Sequence, residues 1–363
     1  MNDTELDTKE IEEMAETKKR RPGAGFAMIE LISRLILAVM TRFWKLCSTA
    51  LLIILLVFWF EGGMLASFLL VIALLGLFYN AQDMLLYHPD QPPHSRMYVE
   101  LPGILHLPYE NHFVKTRDGT QINVVLVKQS HLDVPTVVFF HGNAGNIGHR
   151  LMNVLGLYSA CKCNVVMVEY RGYGKSDGSP SEHGMYDDAE AALDFVLNRN
   201  DINKRKIFIF GRSLGGAVAI NLVSKPSYSK LVAGLIVENT FTSLPDIARV
   251  LFHFKILDYL PLWCFKNQYP SKKRLHKLCL PILFLSGLGD QLIPPRMMTE
   301  LFESSSSPLK RIIRFPGGSH NETWMSPGYY EAWLNFLKEV CDRPVHESGH
   351  SIALHMDKGV KDV

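Results

Sequence analysis

Residues 207–221, with the sequence IFIFGRSLGGAVAIN, constrain the fold more than any other stretch of the chain. Four strand-forming residues come first, and a run of small and aliphatic residues suited to a helix begins at Leu214. Ser213 lies between them, and Gly211 and Gly215 flank it in the pattern G-x-S-x-G. Glycine allows a strand and a helix to approach closely around a strained residue. We therefore predict a strand, a tight bend that exposes the Ser213 hydroxyl, and a helix.

Apolar strands alternate with helical segments between residues 110 and 341. Two strands on either side of the turn Asp118-Gly119 are expected to pair as a hairpin. The stretch 181–199 has helical periodicity, with Ser181 as its N-cap. Such alternation is typical of an α/β domain with a mostly parallel sheet that is covered by helices on both faces. Residues 81–109 are predicted to be a loop-like linker, because they contain the proline-rich stretches HPDQPPHSR and LPGILHLP. The further strands are predicted at TVVFF, NVVMVEY, KIFIF, VAGLIVEN, PILFLS and RIIRF.

Residues 46–79 form an apolar block whose one charged residue is Glu61. A bilayer span needs about 20 apolar residues, so the block is long enough for one span and short for two full ones. We predict a membrane anchor over 46–80. Glu61-Gly62-Gly63 would lie near one membrane interface, or at the tip of a short hairpin, since a carboxylate at the centre of a spanning helix is costly.

The basic residues predict the orientation of this anchor. Eight Lys or Arg residues precede position 46, and the next one after the block is Arg96. The positive-inside rule places the N-terminus in the cytosol, so residues 1–45 are predicted to be a basic, largely disordered cytosolic tail. One span then makes the domain lumenal or extracellular, as in a type II signal-anchor protein, whereas a hairpin keeps it cytosolic. Residues 342–363 are expected to be a second disordered tail.

Composition and motifs argue against several other classes of protein. The net charge of +2 gives no reason to expect nucleic acid as a partner. The six cysteines lack zinc-site spacing and are expected to be free thiols, although an oxidising compartment would permit one disulfide. Residues 142–146, GNAGN, lack both the Lys-Ser/Thr of a Walker A loop and the G-x-G-x-x-G spacing. We expect neither a cofactor nor a metal ion.

Two further residues suit chemistry at Ser213. A serine hydroxyl needs an adjacent imidazole to become a nucleophile, and the imidazole needs an acid to hold its tautomer. His320 follows the strand RIIRF through the loop PGGS, and Asp290 follows the strand PILFLS. The order Ser213, Asp290, His320 brings each group to the carboxyl edge of the same sheet. Glu238, at the end of another strand, is the alternative acid, and we interpret it as structural.

The segment 141–146, HGNAGN, is predicted to complete the site. A tetrahedral oxyanion needs two backbone N–H groups aimed at it. One should come from Leu214, the residue after the nucleophile. The other should come from this loop, with Asn143 as the first candidate and Ala144 as the second. His141 is then expected to be a structural residue that holds the loop.

The motifs HGNAGN, YRGYGKSDGSPSEHG and GRSLGG together resemble the Bem46-like branch of the α/β-hydrolase superfamily. The resemblance covers roughly residues 40–341. It implies an α/β-hydrolase fold, a serine hydrolase with Ser213, Asp290 and His320 as its triad, and a single-pass membrane protein with a cytosolic N-terminus. It also implies glycosylation of Asn321 in the acceptor pattern Asn-Glu-Thr. The branch includes protein depalmitoylases of the cytosolic face, so the resemblance suggests a thioester or a lipid ester as the substrate.

These observations predict a membrane-anchored hydrolase that cleaves a carboxylic ester or thioester through an acyl-enzyme. Residues 241–278 are predicted to form a small cap, because they are rich in large apolar side chains; an apolar cap near a bilayer favours an acyl chain or another small molecule as the substrate. The alternatives are a non-catalytic membrane scaffold and a peptidase or amidase of the same fold. The cap side chains are Phe252, Phe254, Tyr259, Trp263 and Phe265.

Overall fold

The computed structural model describes residues 33, 35–38, 41–42, 44–61, 63–252 and 255–343. Most of the two predicted tails and Phe254 of the predicted cap lie outside the described residues. The chain divides into two compact units, Met1–Asn80 and Ala81–Val363.

The apolar block folds as two helices, α1 (Trp44–Glu61) and α2 (Met64–Leu86). Among the described residues, α2 alone is both long enough and apolar enough to cross a membrane, with 23 residues. At 1.5 Å per residue it extends roughly 34 Å, slightly more than the hydrocarbon core of a bilayer. The apolar part of α1, Ser48–Trp59, is shorter. The helices separate at the predicted interruption, and α2 continues beyond the predicted anchor into the second unit.

The second unit is built on a sheet of eight strands in the order β1-β2-β4-β3-β5-β6-β7-β8. Strands β3 to β8 run parallel, whereas β2 is antiparallel to both β1 and β4. The inner strands β3 to β7 are buried on both faces, which explains their continuous apolar sequences. The strands are β1 (Tyr109–Lys115), β2 (Gln121–Val127), β3 (Thr136–Phe140), β4 (Asn164–Glu169), β5 (Ile207–Arg212), β6 (Gly234–Glu238), β7 (Ile282–Gly287) and β8 (Lys310–Phe315).

Helices cover both faces of this sheet. Apolar residues of α4, α5 and α10 pack on one face, and residues of α3 and α11 pack on the other. Ser181 caps α4 as predicted, since its hydroxyl accepts a hydrogen bond of 3.2 Å from the Gly184 N–H. The α/β class and the mostly parallel sheet are therefore confirmed. The helices are α3 (Leu151–Ala160), α4 (Glu182–Leu197), α5 (Leu214–Ser224), α6 (Pro226–Ser229), α7 (Leu244–Phe252), α8 (Ile256–Tyr259), α9 (Ser271–Leu275), α10 (Pro295–Ser304) and α11 (Tyr329–Cys341).

The strand order reverses beside β3, because the chain passes from β3 to β4 on one side and then to β5 on the other. In open α/β sheets this reversal leaves a crevice at the carboxyl ends of the strands, where ligands bind. Residues 141–146 follow β3 and Ser213 follows β5, so both predicted elements meet at this crevice.

Two connections contain helices that were not predicted individually from the sequence. Residues 81–109, predicted to be a loop-like linker, include the end of α2 up to Leu86 and a 3-10 helix at Pro102–Leu105, and the side chains of Tyr87 and Leu107 are buried. The prolines and the glycine of this stretch indicated its turns, but they did not indicate that it packs on the domain. The chain between β6 and β7, where a cap is predicted, holds the short helices α7, α8 and α9 and a 3-10 helix at Leu262–Cys264.

Candidate active site

Ser213 occupies a sharp bend between β5 and α5. Its φ of 56° and ψ of −122° lie in a region that residues with a side chain rarely adopt. Two hydrogen bonds hold it there. The Ser213 N–H donates to the Glu238 carbonyl at 2.9 Å, and the Thr240 hydroxyl donates to the Ser213 carbonyl at 2.8 Å. The bend predicted from the sequence is present, and the end of β6 fixes it.

The flanking glycines are required by steric contact. A Cβ atom on Gly211 would lie 2.1 Å from the carbonyl oxygen of Gly215, and one on Gly215 would lie 2.0 Å from the carbonyl oxygen of Phe140. Both neighbours are backbone atoms, which cannot turn away as a flexible side chain would. The pattern G-x-S-x-G therefore follows from the packing of α5 against β3 and β5.

The structure brings Ser213, His320 and Asp290 together in one line of hydrogen bonds. His320 Nε2 lies 3.0 Å from Ser213 Oγ, and His320 Nδ1 lies 2.7 Å from Asp290 Oδ2. If Nδ1 carries the proton that is donated to the carboxylate, Nε2 is free to accept the serine proton. The three residues are separated by 77 and 30 positions along the chain, since they lie at 213, 290 and 320.

The carboxylate of Asp290 is almost fully enclosed and is fixed in orientation. Its side chain is 1% exposed, and that of His320 is 11% exposed. Oδ1 accepts hydrogen bonds from the N–H groups of Leu292 (2.9 Å) and Ile293 (2.8 Å), which leaves Oδ2 for the imidazole. The loop after β7 thus presents one oxygen of Asp290 to His320.

Asn239, a residue not predicted from the sequence, joins the loops that carry Asp290 and His320. Its Nδ2 donates to the carbonyl of His320 at 3.1 Å and to Oγ1 of Thr323 at 3.0 Å. Its Oδ1 accepts from the N–H of Gly287, the last residue of β7, at 2.8 Å. Asn239 also has a positive φ of 45°, which asparagine tolerates better than most residues. An asparagine directly after a buried strand was the available sequence signal.

The HGNAGN loop lies against Ser213 on its other side. A Cβ atom placed on Gly142 would be 3.5 Å from the Ser213 Cβ. Asn143 is held by its side chain and by its backbone. Its Nδ2 donates to the Leu86 carbonyl at 2.9 Å, and its backbone carbonyl accepts from the Tyr173 hydroxyl at 2.7 Å. Within the described part of the chain, the backbone N–H groups of Asn143 and Leu214 have no hydrogen-bond acceptor. They are therefore available to an external acceptor.

His141 is buried beneath this loop. Its Nε2 lies 3.1 Å from Oε1 of Glu169, and its Nδ1 lies 2.7 Å from the carbonyl oxygen of Gly142. The side chains of His141 and Glu169 are both almost completely buried, and Oε2 of Glu169 accepts from the Ile147 N–H at 3.1 Å. These contacts tie the loop to the end of β4, as a loop-holding histidine would.

Glu238 lies with other partners, away from the imidazole. Its carboxylate accepts hydrogen bonds from Arg212 Nη2 at 3.2 Å and from the Tyr329 hydroxyl at 2.5 Å. Burial and the neighbouring Glu238 carboxylate raise the pKa of the Tyr329 hydroxyl well above its ordinary value. Glu238 therefore belongs to a buried network under the sheet edge, while Asp290 contacts His320.

The remaining predicted residues are placed as follows. The side chain of Asn321, next to His320, is exposed. The five cysteines whose side chains the structure describes are free, and burial raises the pKa of the Cys161 thiol to about 12. The described residues contain no group of three or more His, Cys, Asp or Glu side chains placed to hold a metal ion.

Comparison with known proteins places this site in a family. Residues 135–268 match the model of the alpha/beta hydrolase fold family. Protein bem46 of Schizosaccharomyces pombe is 37% identical over 281 residues, which cover 76% of this chain and 92% of that protein. The alpha/beta hydrolase domain-containing protein WAV2 of Arabidopsis thaliana is 38% identical over 288 residues, covering 74% and 92%. An uncharacterised membrane protein of Saccharomyces cerevisiae is 35% identical over 283 residues, covering 77% and 96%.

Solved structures show the same fold at lower sequence identity. An esterase of Pyrococcus furiosus superposes with a TM-score of 0.56 at 20% identity, over 70% of this chain and 98% of that one. The enzyme Est1E of Butyrivibrio proteoclasticus, with ferulic acid bound, gives a TM-score of 0.54 at 18% identity, over 64% and 100%. The fold is similar to that of these structures, and the sequence is similar to those of the relatives over most of its length. The resemblance noted in the motifs is therefore confirmed: the chain belongs to the Bem46-like branch of the α/β-hydrolase superfamily.

Proposed function

We propose that this protein is a membrane-anchored serine hydrolase that cleaves an ester or a thioester through an acyl-enzyme. The observation that carries the proposal is the line of hydrogen bonds from Ser213 through His320 to Asp290. Three such groups, distant in sequence and joined at 2.7 and 3.0 Å, fit nucleophilic acyl transfer. Beside them lie two backbone N–H groups that have no acceptor among the described residues.

In the first half of the reaction, Ser213 Oγ attacks the acyl carbonyl carbon while His320 Nε2 takes the hydroxyl proton. The imidazolium that forms is stabilised by Asp290, whose Oδ2 faces Nδ1. The carbonyl oxygen becomes an oxyanion and accepts hydrogen bonds from the N–H groups of Leu214 and Asn143. When the tetrahedral intermediate collapses, His320 returns the proton to the leaving alcohol or thiol.

In the second half, water takes the place of the leaving group. His320 removes a proton from the water, the hydroxide attacks the acyl carbon, and the same two N–H groups hold the second oxyanion. Collapse breaks the bond to Ser213, whose oxygen regains the proton from the imidazolium. The products are a carboxylic acid, the alcohol or thiol released earlier, and the free enzyme.

Esters and thioesters are the substrates that these features favour. The Pyrococcus furiosus structure is that of a named esterase, and the resemblance to depalmitoylases adds thioesters. The predicted cap begins directly after β6, whose last residue, Glu238, accepts the hydrogen bond from the Ser213 N–H through its carbonyl. The large apolar side chains between residues 241 and 278 would therefore lie at the same edge of the sheet as the nucleophile and favour an acyl chain.

Helix α2 is the proposed anchor, with the N-terminus in the cytosol and the catalytic unit in the lumen or outside the cell. Its length and composition support a span, and the Saccharomyces cerevisiae relative is named a membrane protein. Removal of glycans by a glycosidase, read as a gel shift, tests this orientation, with Asn321→Gln as the control. A shift that disappears in the variant supports the lumenal assignment. The absence of a shift in glycosylation-competent cells contradicts it and favours the hairpin anchor.

Turnover of defined substrates tests the activity. The full chain, purified in detergent, should hydrolyse p-nitrophenyl esters and acyl thioesters, and Ser213→Ala should abolish both reactions. Ser159→Ala, at an exposed serine of α3, is the matched control and should retain them. Activity on peptide amides in preference to esters would favour the peptidase alternative, and no turnover of either class would favour the scaffold.

A further inference from the structure

Large apolar side chains of the region between β6 and β7 point into solvent. Tyr259 is 84% exposed, Trp263 is 70% exposed and Ile256 is 67% exposed. Phe252 and Leu262 are also exposed. Monomeric soluble proteins rarely expose such a group of apolar residues, and where they do, it marks a binding surface. We call these five residues the cap surface.

The cap surface is the outer side of an amphipathic element. The side chains of Ile247, Leu257 and Phe265 in the same stretch are buried. Arg249 holds the parts together, because its Nε donates to the Leu257 carbonyl at 3.1 Å and its guanidinium lies over the Phe265 ring at 5.8 Å. The exposed residues therefore lie on a packed structure whose inner apolar side chains are already buried.

The segment that directly follows the cap surface is hydrogen-bonded to residues near the start of the second unit. Gln82 Nε2 donates to the carbonyl of Cys264 at 2.8 Å, and its Oε1 accepts from the N–H of Lys266 at 2.8 Å. Oδ1 of Asp83 accepts from Asn267 Nδ2 at 2.7 Å. The segment that directly follows Trp263 is thus hydrogen-bonded to Gln82 and Asp83 in the last turns of α2.

The residue types of the cap surface also indicate what binds to it. Tyrosine and tryptophan are enriched where a protein meets the boundary between lipid headgroups and acyl chains, because each has an apolar ring with a polar edge. The acidic side chain of Asp258 lies 4.0 Å from Arg249, which offsets its charge. A lipid surface fits this composition, and a second copy of the chain is an outcome that the test below distinguishes.

We propose that the cap surface enters the headgroup boundary of the bilayer that holds α2, so that the protein contacts its membrane at two places. The proposal rests on the membrane anchoring proposed above and deepens the proposed function. Residues 241–278 leave β6 at the edge where Ser213 lies, so this contact would keep the site at the membrane surface and supply it with acyl chains directly from the lipid.

Quenching of Trp263 fluorescence by brominated lipid tests the contact. The full chain carrying Trp44→Phe and Trp59→Phe, which removes the two tryptophans of α1, is reconstituted into phosphatidylcholine vesicles with or without dibrominated acyl chains. Adding Trp263→Phe gives the matched variant, and the difference between the two emissions belongs to Trp263. Trp324 and the buried Trp333 remain in both proteins, and their shared emission reports that the domain is folded.

The reference reporter is Phe113→Trp in the background that lacks Trp263, at an exposed position on the outer strand β1. We expect the Trp263 emission to be quenched by brominated lipid to a clearly larger fraction than the Phe113→Trp emission. Quenching no larger than that of the reference overturns the proposal. Emission that is insensitive to bromine and depends on protein concentration in detergent also overturns it, and indicates a second copy as the occupant.

Enzymatic turnover then separates this proposal from the proposed function. Leu262→Asn with Trp263→Asn should lower the hydrolysis of a long-chain ester embedded in vesicles several-fold more than that of a soluble short-chain ester. Equal loss on both substrates contradicts a role in taking substrate from the membrane. If the unmodified protein hydrolyses neither ester, the proposed function fails, while the quenching experiment still decides whether the cap surface contacts lipid.

Discussion

The side-chain amide of Asn239 donates a hydrogen bond of 3.1 Å to the backbone carbonyl of His320. The oxygen of the same amide accepts a hydrogen bond from the N–H of Gly287, which lies three residues before Asp290. One side chain thus sets the distance between the loop that carries the proposed base and the strand end that carries the proposed acid. Asn239 is a positioning residue, because it acts on the site through His320 and Asp290.

Asn239→Asp should lower kcat for a soluble ester by up to about 100-fold, since small misplacements of reacting groups have effects of this size. The variant keeps an oxygen for the Gly287 N–H and loses the donor to His320, while aspartate tolerates the positive φ. We expect KM to change little, because no substrate contact is removed. Steady-state kinetics separates the two constants, and Asn239→Gly controls for the backbone conformation. A kcat equal to that of the unmodified protein would show that the amide does not position His320.

His320→Ala and His141→Ala should have different consequences. Loss of His320 should lower kcat by about 10⁴-fold or more, because it removes the proposed base. Loss of His141 leaves the buried Glu169 carboxylate without its partner and should lower the free energy of unfolding by about 3–5 kcal/mol. Thermal melting and ester turnover, measured on both variants, check this. Equal residual turnover in the two variants, at equal folded fraction, would refute the assignment of His320 as the base.

Gly215→Ala should destabilise the fold severely. The added methyl group would lie 2.0 Å from the carbonyl oxygen of Phe140, so β3 and α5 would have to separate. Gly317→Ala is the matched control, because a Cβ atom there has no neighbour within 4 Å; we expect a change in stability within about 0.5 kcal/mol. The melting temperatures of the two variants provide the comparison. Similar values would mean that the close approach at Gly215 is not required.

Asp201 should contribute stability that depends on pH. Hydrogen bonds from Arg199, together with Lys128, lower the pKa of its carboxyl below the ordinary value, despite some opposing effect of burial. A lowered folded-state pKa stabilises the protein above about pH 4, where the unfolded carboxyl is ionised, and this contribution is lost as the pH falls further. Asp201→Asn should therefore lower the melting temperature near neutral pH, and by less near about pH 3. The effect should stay under about 1 kcal/mol, because the pair is partly exposed. A difference that is constant with pH contradicts this.

The sequence predicted the parts of the fold that depend on local pattern. Buried strands such as β3 and β5 are continuous apolar runs, and the cap at Ser181 follows a standard helix signal. Ser213, Asp290 and His320 could be selected because each directly follows a strand end or its loop. Parallel strands bring such positions to one edge of the sheet.

The parts that the sequence did not predict depend on contacts between distant segments. Asn239 acquires its position only when β6, β7 and the loop after β8 pack together, so its place directly after a buried strand does not by itself identify its role. The stretch 81–109 was interpreted as a linker, but the hydrogen bonds of Gln82 to residues 264 and 266 and the burial of Tyr87 hold it on the domain. Those partners lie more than 170 positions away along the chain.

The central claim is that the hydroxyl of Ser213 is an activated nucleophile, and covalent labelling tests it most directly. A fluorophosphonate probe is applied to the full chain, and the site of the adduct is identified by mass spectrometry. We predict an adduct on the peptide that contains Ser213, absent in Ser213→Ala and strongly reduced in His320→Ala, with Ser159→Ala labelled normally. No labelling of the folded protein, or labelling that persists in Ser213→Ala, would contradict the account.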